Sequence, residues 1–242
     1  MCGRYTLVRP ETAADRFGFV DFHETRVEPR FNVSPTEMVL TVVERDGQRV
    51  LQEMRWGFRP VWLPRDVRVA PINARAETLF ERGLFRAALE RGRCLIPADG
   101  FYEWQQLPST SRRAPVHIRL KGGALFAFAG IWALDRDGVP TCAIVTIAPN
   151  ALLATIHNRM PAVLSREVED PWLDCEDTDP RLALECLSHT AADGLELQPL
   201  APSVDVRRLD LDPAESLAML GLGDVPVRAV SAPRLTQGHL EL

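Results

Sequence analysis

Lysine is almost missing from this chain: Lys121 is the single one among 28 basic residues, and the rest are arginine. Its cationic contacts therefore rest on guanidinium groups, which suit planar, two-pronged recognition of phosphate and carboxylate. Genomic base composition accounts for an arginine excess equally well. No apolar run reaches the roughly 18 to 20 residues of a membrane-spanning helix. Arg4 and Arg9 are followed by no apolar stretch of the kind that directs export. The five cysteines (Cys2, Cys94, Cys142, Cys175 and Cys186) are odd in number and scattered, with no C-x-x-C pair and no Cys/His grouping at zinc spacing. That excludes a disulfide scaffold, points to a reducing cytoplasm, and leaves no metal or organic cofactor to expect. No G-x-G-x-x-G opens a βαβ unit, so a doubly wound dinucleotide fold is excluded. Internal repeats and low-complexity linkers are also missing.

What remains is enough to bury a substantial core: 242 residues, 46% of them hydrophobic. Net charge is −5, but it is divided unevenly. Residues 1–120 hold 19 Arg against 15 Asp and Glu, whereas residues 121–242 hold 9 basic against 18 acidic groups. The first half is thus the place to look for a basic face.

Residues 10–19 read as a short helix opened by Pro10 and closed near Gly18. Residues 38–56 form a hairpin about Asp46-Gly47. The strongest helical pattern runs over 76–92, with Leu79, Phe80, Leu84, Ala87 and Ala88 on one face and Gly92 as its stop. Residues 94–104 read as a strand broken around Pro97 and Asp99-Gly100, and 116–120, 124–134 and 140–148 as an antiparallel meander turning at Gly122-Gly123 and at 135–138. Short helices are expected over 150–157 and 180–189, and a late strand over 195–200. The class is α+β, a strongly curved antiparallel sheet or open barrel with several short helices. One domain is expected over 1–220, with a partly disordered tail over 221–242.

Four stretches look chemical: "MCGR" (1–4), "INARAET" (72–78), "PADGFYEW" (97–104) and "TIHNRMP" (155–161). Methionine is usually clipped before a small residue, and Cys2 would then carry a free α-amine beside its thiol. With a reference pKa near 8, part of that amine is neutral at pH 7 and condenses with aldehydes. The thiol can close the imine to a five-membered thiazolidine, which no internal cysteine can do. A chain terminus is seldom packed deeply, so Cys2 is expected to be reachable rather than core. Glu103, between Tyr102 and Trp104, is a candidate acid–base group among aromatics or an exposed strand carboxylate. His157 is a proton-transfer candidate or a helix-end charge partner. Asn73 is an orienting group or a helix cap.

Together with "RWGF" (55–58), "RCLIPADGFYEW" (93–104), "AGIWAL" (129–134) and "IHNRMPAVL" (156–164), these stretches resemble the SOS-response-associated peptidase (SRAP) family of abasic-site processing proteins. The resemblance runs in order from residue 1 to about 165. It implies that Cys2, freed of Met1, traps the ring-opened aldehyde of an abasic site in single-stranded DNA as a stable crosslink. It makes Cys2 the nucleophile, Asn73 its orienting group, Glu103 the acid/base group, and His157 a stabiliser of the opened sugar. Arg4, Arg75 and Arg159 become phosphate contacts, Thr146 a pocket residue, and Trp56 a stacking or wedge residue, with a core tryptophan as the alternative reading. A monomer with no membrane partner is implied, cytoplasmic and nucleoid-associated when bound. The family's peptidase activity reads as self-removal of residues ahead of the cysteine. Where the family carries Val-Asn, this chain has Val204-Asp205.

Two rivals share these features. Class II glutamine amidotransferases also begin Met-Cys-Gly and use the cysteine as nucleophile, but Arg159 stands where their His-Asn-Gly signature needs glycine. A non-covalent single-stranded DNA binder would keep the arginines and tryptophans and leave Cys2 incidental.

Overall fold

The structure is a computed structural model that describes residues 2–19, 26–64, 66–67, 70–108, 110–222 and 230–231. In chain order its elements are β1 (Tyr5–Leu7), α1 (Ala13–Phe17), β2 (Arg26–Val27), β3 (Arg30–Val33), β4 (Met38–Arg45), β5 (Gln48–Trp56), β6 (Asn73–Arg75), α2 (Gly83–Arg91), β7 (Arg93–Ala98), β8 (Gly100–Gln106), β9 (Arg113–Leu120), β10 (Phe126–Leu134), β11 (Pro140–Ile147), β12 (Met160–Pro161), β13 (Val163–Leu164), α3 (Glu169–Leu173), α4 (Pro180–Cys186), β14 (Leu195–Pro199), α5 (Pro213–Met219) and β15 (Val230–Ser231).

These strands make two curved sheets and a two-stranded pairing of β2 with β15, with short helices around them. The first is antiparallel in the order β14-β9-β8-β1-β3. The second runs β12-β11-β5-β4-β7-β10-β13 with β6 on β11, and it curls until β10 also meets β11. It is mixed rather than purely antiparallel, because β11 runs parallel to both β5 and β6. One apolar cluster fills the space between the sheets. A smaller one (Val8, Phe31, Tyr102, Leu200, Val206 and Leu209 among its members) lies where the 200–222 segment covers the outer face of the first sheet.

The hairpin over 38–56 forms as its turn chemistry dictates. Asp46 and Gly47 both have positive φ, 51° and 70°, the pair a two-residue hairpin turn requires. The strands meet in register from Arg45 opposite Gln48 to Met38 opposite Arg55. The helix at 13–17, the helix at 180–186 and the strand at 195–199 also form where the sequence suggests.

Four expectations are corrected. Residues 76–92 are two elements: a 3-10 turn over Ala76–Thr78, then α2, which buries Phe85, Ala88 and Leu89 rather than Leu84 and Ala87. Gly83 has the weakest intrinsic helix preference short of proline, and the helix starts at it instead of passing through. Gly92 does end α2, through close approach rather than positive φ: a Cβ there would lie 2.3 Å from the Trp132 carbonyl oxygen. Pro97 stays within β7, opposite Ala127, so the break falls at Asp99 alone. Residues 116–148 are not one meander, because β9 belongs to the first sheet and β10 to the second. The Lys121–Gly123 turn, with Gly122 and Gly123 at φ 78° and 66°, carries the chain across. The expected helix over 150–157 shrinks to the turn Leu153–Thr155, where the Asn150 side chain accepts the Leu153 N–H. Of the expected tail, residues 223–229 and 232–242 lie outside the described residues.

Candidate active site

Strand β1 lies between β8 and β3, and its pairing brings the N-terminal run to the acid–base candidate. Tyr5 faces Phe101, and the Tyr102 N–H donates to the Arg4 carbonyl at 2.9 Å. Continuing this antiparallel register sets Gly3 opposite Glu103. Side chains alternate along β8, so Phe101 and Glu103 face one way while Tyr102 and Trp104 face the other. The flanking aromatics are therefore not the surroundings of Glu103. Tyr102 packs in the smaller cluster with its hydroxyl donating to the Phe31 carbonyl, and Trp104 lies against that cluster. Glu103 itself is buried at 6% exposure, on the side of Cys2.

Cys2 has no exposed surface, against the expectation for a chain terminus. Its thiol points to the Arg4 carbonyl at 3.9 Å. Burial, and then the nearby Glu103 carboxylate, push the thiol far above its ordinary range, so it stays protonated at neutral pH. Asn73 reaches in from β6 and donates Nδ2 to the Cys2 carbonyl at 3.0 Å. Its buried Oδ1 has no hydrogen-bond partner among the described residues, a vacant acceptor in the site.

A second group adjoins through β6, which runs beside β11 with Asn73 opposite Ile144 and Arg75 opposite Thr146. Thr146 is fully buried, and its hydroxyl donates to the Ala74 carbonyl at 3.4 Å. It packs the wall rather than facing an open pocket. Half-buried His157 accepts the Arg159 backbone N–H on Nδ1 at 3.0 Å, which leaves the proton of the neutral ring on Nε2. The Arg159 guanidinium forks onto Glu77, with Nη1 to Oε1 at 2.6 Å and Nη2 to Oε2 at 2.9 Å, and also donates to the Thr146 carbonyl. The Arg159 side chain is 13% exposed and fastened to Glu77, whose own side chain is 55% exposed.

Arg75 is exposed beside this group. Arg4 donates to Asn32 at 2.7 Å and Ser34 at 3.3 Å. With Trp104, Val204, Asp205, Val206 and Arg207 it lines a pocket of about 440 Å³. Here the departure at Asp205 is offset locally, because Arg207 closes an ion pair on that carboxylate at 2.8 Å. Trp56 is corrected: it is fully buried, donates Nε1 to the Ile72 carbonyl at 2.9 Å and tilts against Tyr5, with no face left for a base. The tryptophan with open surface is Trp62, 42% exposed.

Behind the site lies a buried network that the sequence did not suggest. Asp99 accepts from the Thr6 hydroxyl at 2.6 Å and from the backbone N–H groups of Val8 and Arg9, tying the exit of β1 in place. Burial holds its carboxyl above the usual range, against those hydrogen bonds. The Thr6 hydroxyl proton is spent on Asp99, so buried His117, 3.2 Å away, supplies its Nε2–H to Thr6. "Asp-Gly" reads as a turn signal, and nothing in the sequence ties it to a histidine eighteen residues on.

Among the described residues, no three His, Cys, Asp or Glu side chains converge as metal ligands, and no helix is long and apolar enough to cross a membrane.

Cys2 is thus buried, held by Asn73 and close to Glu103, beside one antiparallel and one mixed curved sheet, and comparison with known families places the chain. The description SOS response associated peptidase (SRAP) matches residues 1–206, and the chain belongs to that family. Among its relatives, the abasic site processing protein YoqW of Bacillus subtilis (strain 168) is 40% identical over 205 residues, covering 81% of this chain and 90% of that one. The abasic site processing protein HMCES of Gallus gallus is 28% identical over 255 residues, covering 90% and 74%. A crystal structure of a Bacteroides thetaiotaomicron protein shares the fold with a TM-score of 0.69 at 23% identity, over 85% of this chain and 97% of that one.

Proposed function

We propose that this chain processes abasic sites in single-stranded DNA by trapping them covalently on Cys2, shielding the lesion from strand cleavage during the DNA damage response. The observation that carries the reading is the meeting of Cys2, Asn73 and Glu103 at the head of β1 in a chain of this family. Once Met1 is removed, by the chain itself or by an aminopeptidase, the Cys2 amine attacks the aldehyde carbon of the ring-opened sugar. Loss of one water gives an imine. The thiol then adds across the C=N bond, forming the C–S bond while its proton passes to nitrogen, and the thiazolidine closes. The protonated thiol makes the amine the first nucleophile, which also disfavours the thiolate attack a glutaminase needs.

Glu103 moves protons during ring opening and dehydration, and the vacant Asn73 Oδ1 accepts from the amine. His157 offers Nε2–H to the sugar hydroxyl released on opening. Arg4 and Arg75 carry the phosphate contacts, and Trp62 and Trp104 take the stacking role first assigned to Trp56. The protein acts as a monomer in the cytoplasm, associated with the nucleoid when bound.

The test is the intact mass of the protein under denaturing conditions, before and after incubation with an abasic single-stranded oligonucleotide. Loss of Met1 and a covalent adduct, minus one water and absent in Cys2→Ala, are expected. A processed protein with salt-sensitive DNA binding but no adduct would reduce it to a non-covalent binder. Glutamine hydrolysis without an adduct would make it an amidotransferase relative.

A further inference from the structure

Within six residues, the segment 73–78 touches both halves of the site. Asn73 leaves β6 toward Cys2, and after the chain tightens into the 3-10 turn Ala76–Thr78, Glu77 meets Arg159. Arg159 is held at four points, two on Glu77 and two on the carbonyl and hydroxyl oxygens of Thr146, and its backbone N–H in turn holds Nδ1 of His157. A guanidinium fixed by a planar two-pronged pair has one orientation, unlike a lone cation on a flexible stem. The backbone nitrogen that donates to His157 is bonded directly to the Cα carrying this side chain.

We propose that Glu77 is a positioning residue for His157: through Arg159 it holds the imidazole in the tautomer with Nε2 protonated. The role rests on the reading of His157 given above and deepens it. A competing role for Glu77, as an acidic gate that DNA phosphate must displace from Arg159, predicts the opposite sign of effect. The 13% exposure of the guanidinium favours the positioning role.

Two measurements on the full chain decide it. The first is the 15N chemical shifts of the His157 ring nitrogens in the free protein at pH above its titration, which needs no DNA. The wild type is expected to show a single tautomer with unprotonated, hydrogen-bonded Nδ1. Glu77→Gln, which keeps the shape but removes the charge, is expected to show a mixture, and so is Arg159→Lys, which keeps the charge but loses the fork. An unchanged tautomer in both variants, with melting temperatures showing them folded, overturns the proposal.

The second is the crosslinking rate with non-covalent affinity measured on undamaged oligonucleotide. Glu77→Gln is expected to slow crosslinking by tenfold or more with affinity within about twofold. In a His157→Ala background it should add nothing further, since groups acting through one residue do not add. Tighter binding and faster crosslinking in Glu77→Gln would establish the gate instead. A wild type that makes no crosslink defeats the function reading alone, and the ring-nitrogen shifts still decide the role of Glu77.

Discussion

Acid should destabilise this fold through one side chain remote from the proposed chemistry. His117 is 1% exposed, and burial first, with the Arg119 charge second, pushes its pKa down to about 3. Below about pH 6.5 the unfolded chain binds a proton at this position that the folded chain refuses. The unfolded state therefore holds more protons, and stability falls with falling pH down to about pH 3. At about 1.4 kcal/mol per pH unit, the loss reaches about 5 kcal/mol, comparable to the whole stability of many domains. Asp99 works the other way. Its raised folded pKa lets the folded chain take its proton first, and this offsets part of the loss near the acid end. Comparing the wild type with His117→Gln isolates the histidine, because every other group titrates in both. Urea unfolding followed by tryptophan fluorescence should find the wild type more stable at pH 7, with the gap closing by about 3 kcal/mol between about pH 6.5 and pH 4. A gap that stays constant across that range would refute a buried neutral His117.

Gly100→Ala tests the same network by volume. Its Cβ would lie 2.1 Å from His117 Nε2 and 2.9 Å from the Thr6 hydroxyl, so a loss of about 1 to 3 kcal/mol in denaturant unfolding is expected. Trp56 and Trp62 should separate stability from binding. Trp56→Phe should lower the melting temperature without altering affinity for undamaged single-stranded DNA. Trp62→Ala should leave the melting temperature nearly unchanged and weaken binding by about 1 to 3 kcal/mol, the worth of a stacked base.

The sequence made legible what is decided locally. Asp46-Gly47 names its own turn type, the short helix expected over 180–189 forms as α4, and the cysteine behind Met1 carries its chemistry in its position. Which sheet a strand joins is not local. Nothing in the residues of β9 and β10 tells that Lys121–Gly123 leads from one sheet to the other, rather than turning a hairpin. The aromatic neighbours of Glu103 misled for a related reason: adjacency in a strand means opposite faces. Glu77 and Arg159 both stand inside conspicuous motifs, yet they are 82 positions apart, and their pairing depends on β6 lying beside β11. Two tryptophans six residues apart look equivalent until burial assigns one to the core and the other to the surface.

The zero exposure of Cys2 bears on the proposed capture of aldehydes. Reactive carbonyls diffusing through a cell would consume a 1,2-aminothiol left in the open, long before a rare lesion arrived. On the proposed reading, the burial of Cys2 restricts it to a partner that is drawn in and held. Under that proposal, discrimination between damaged and intact DNA rests on access to Cys2 rather than on any base being read.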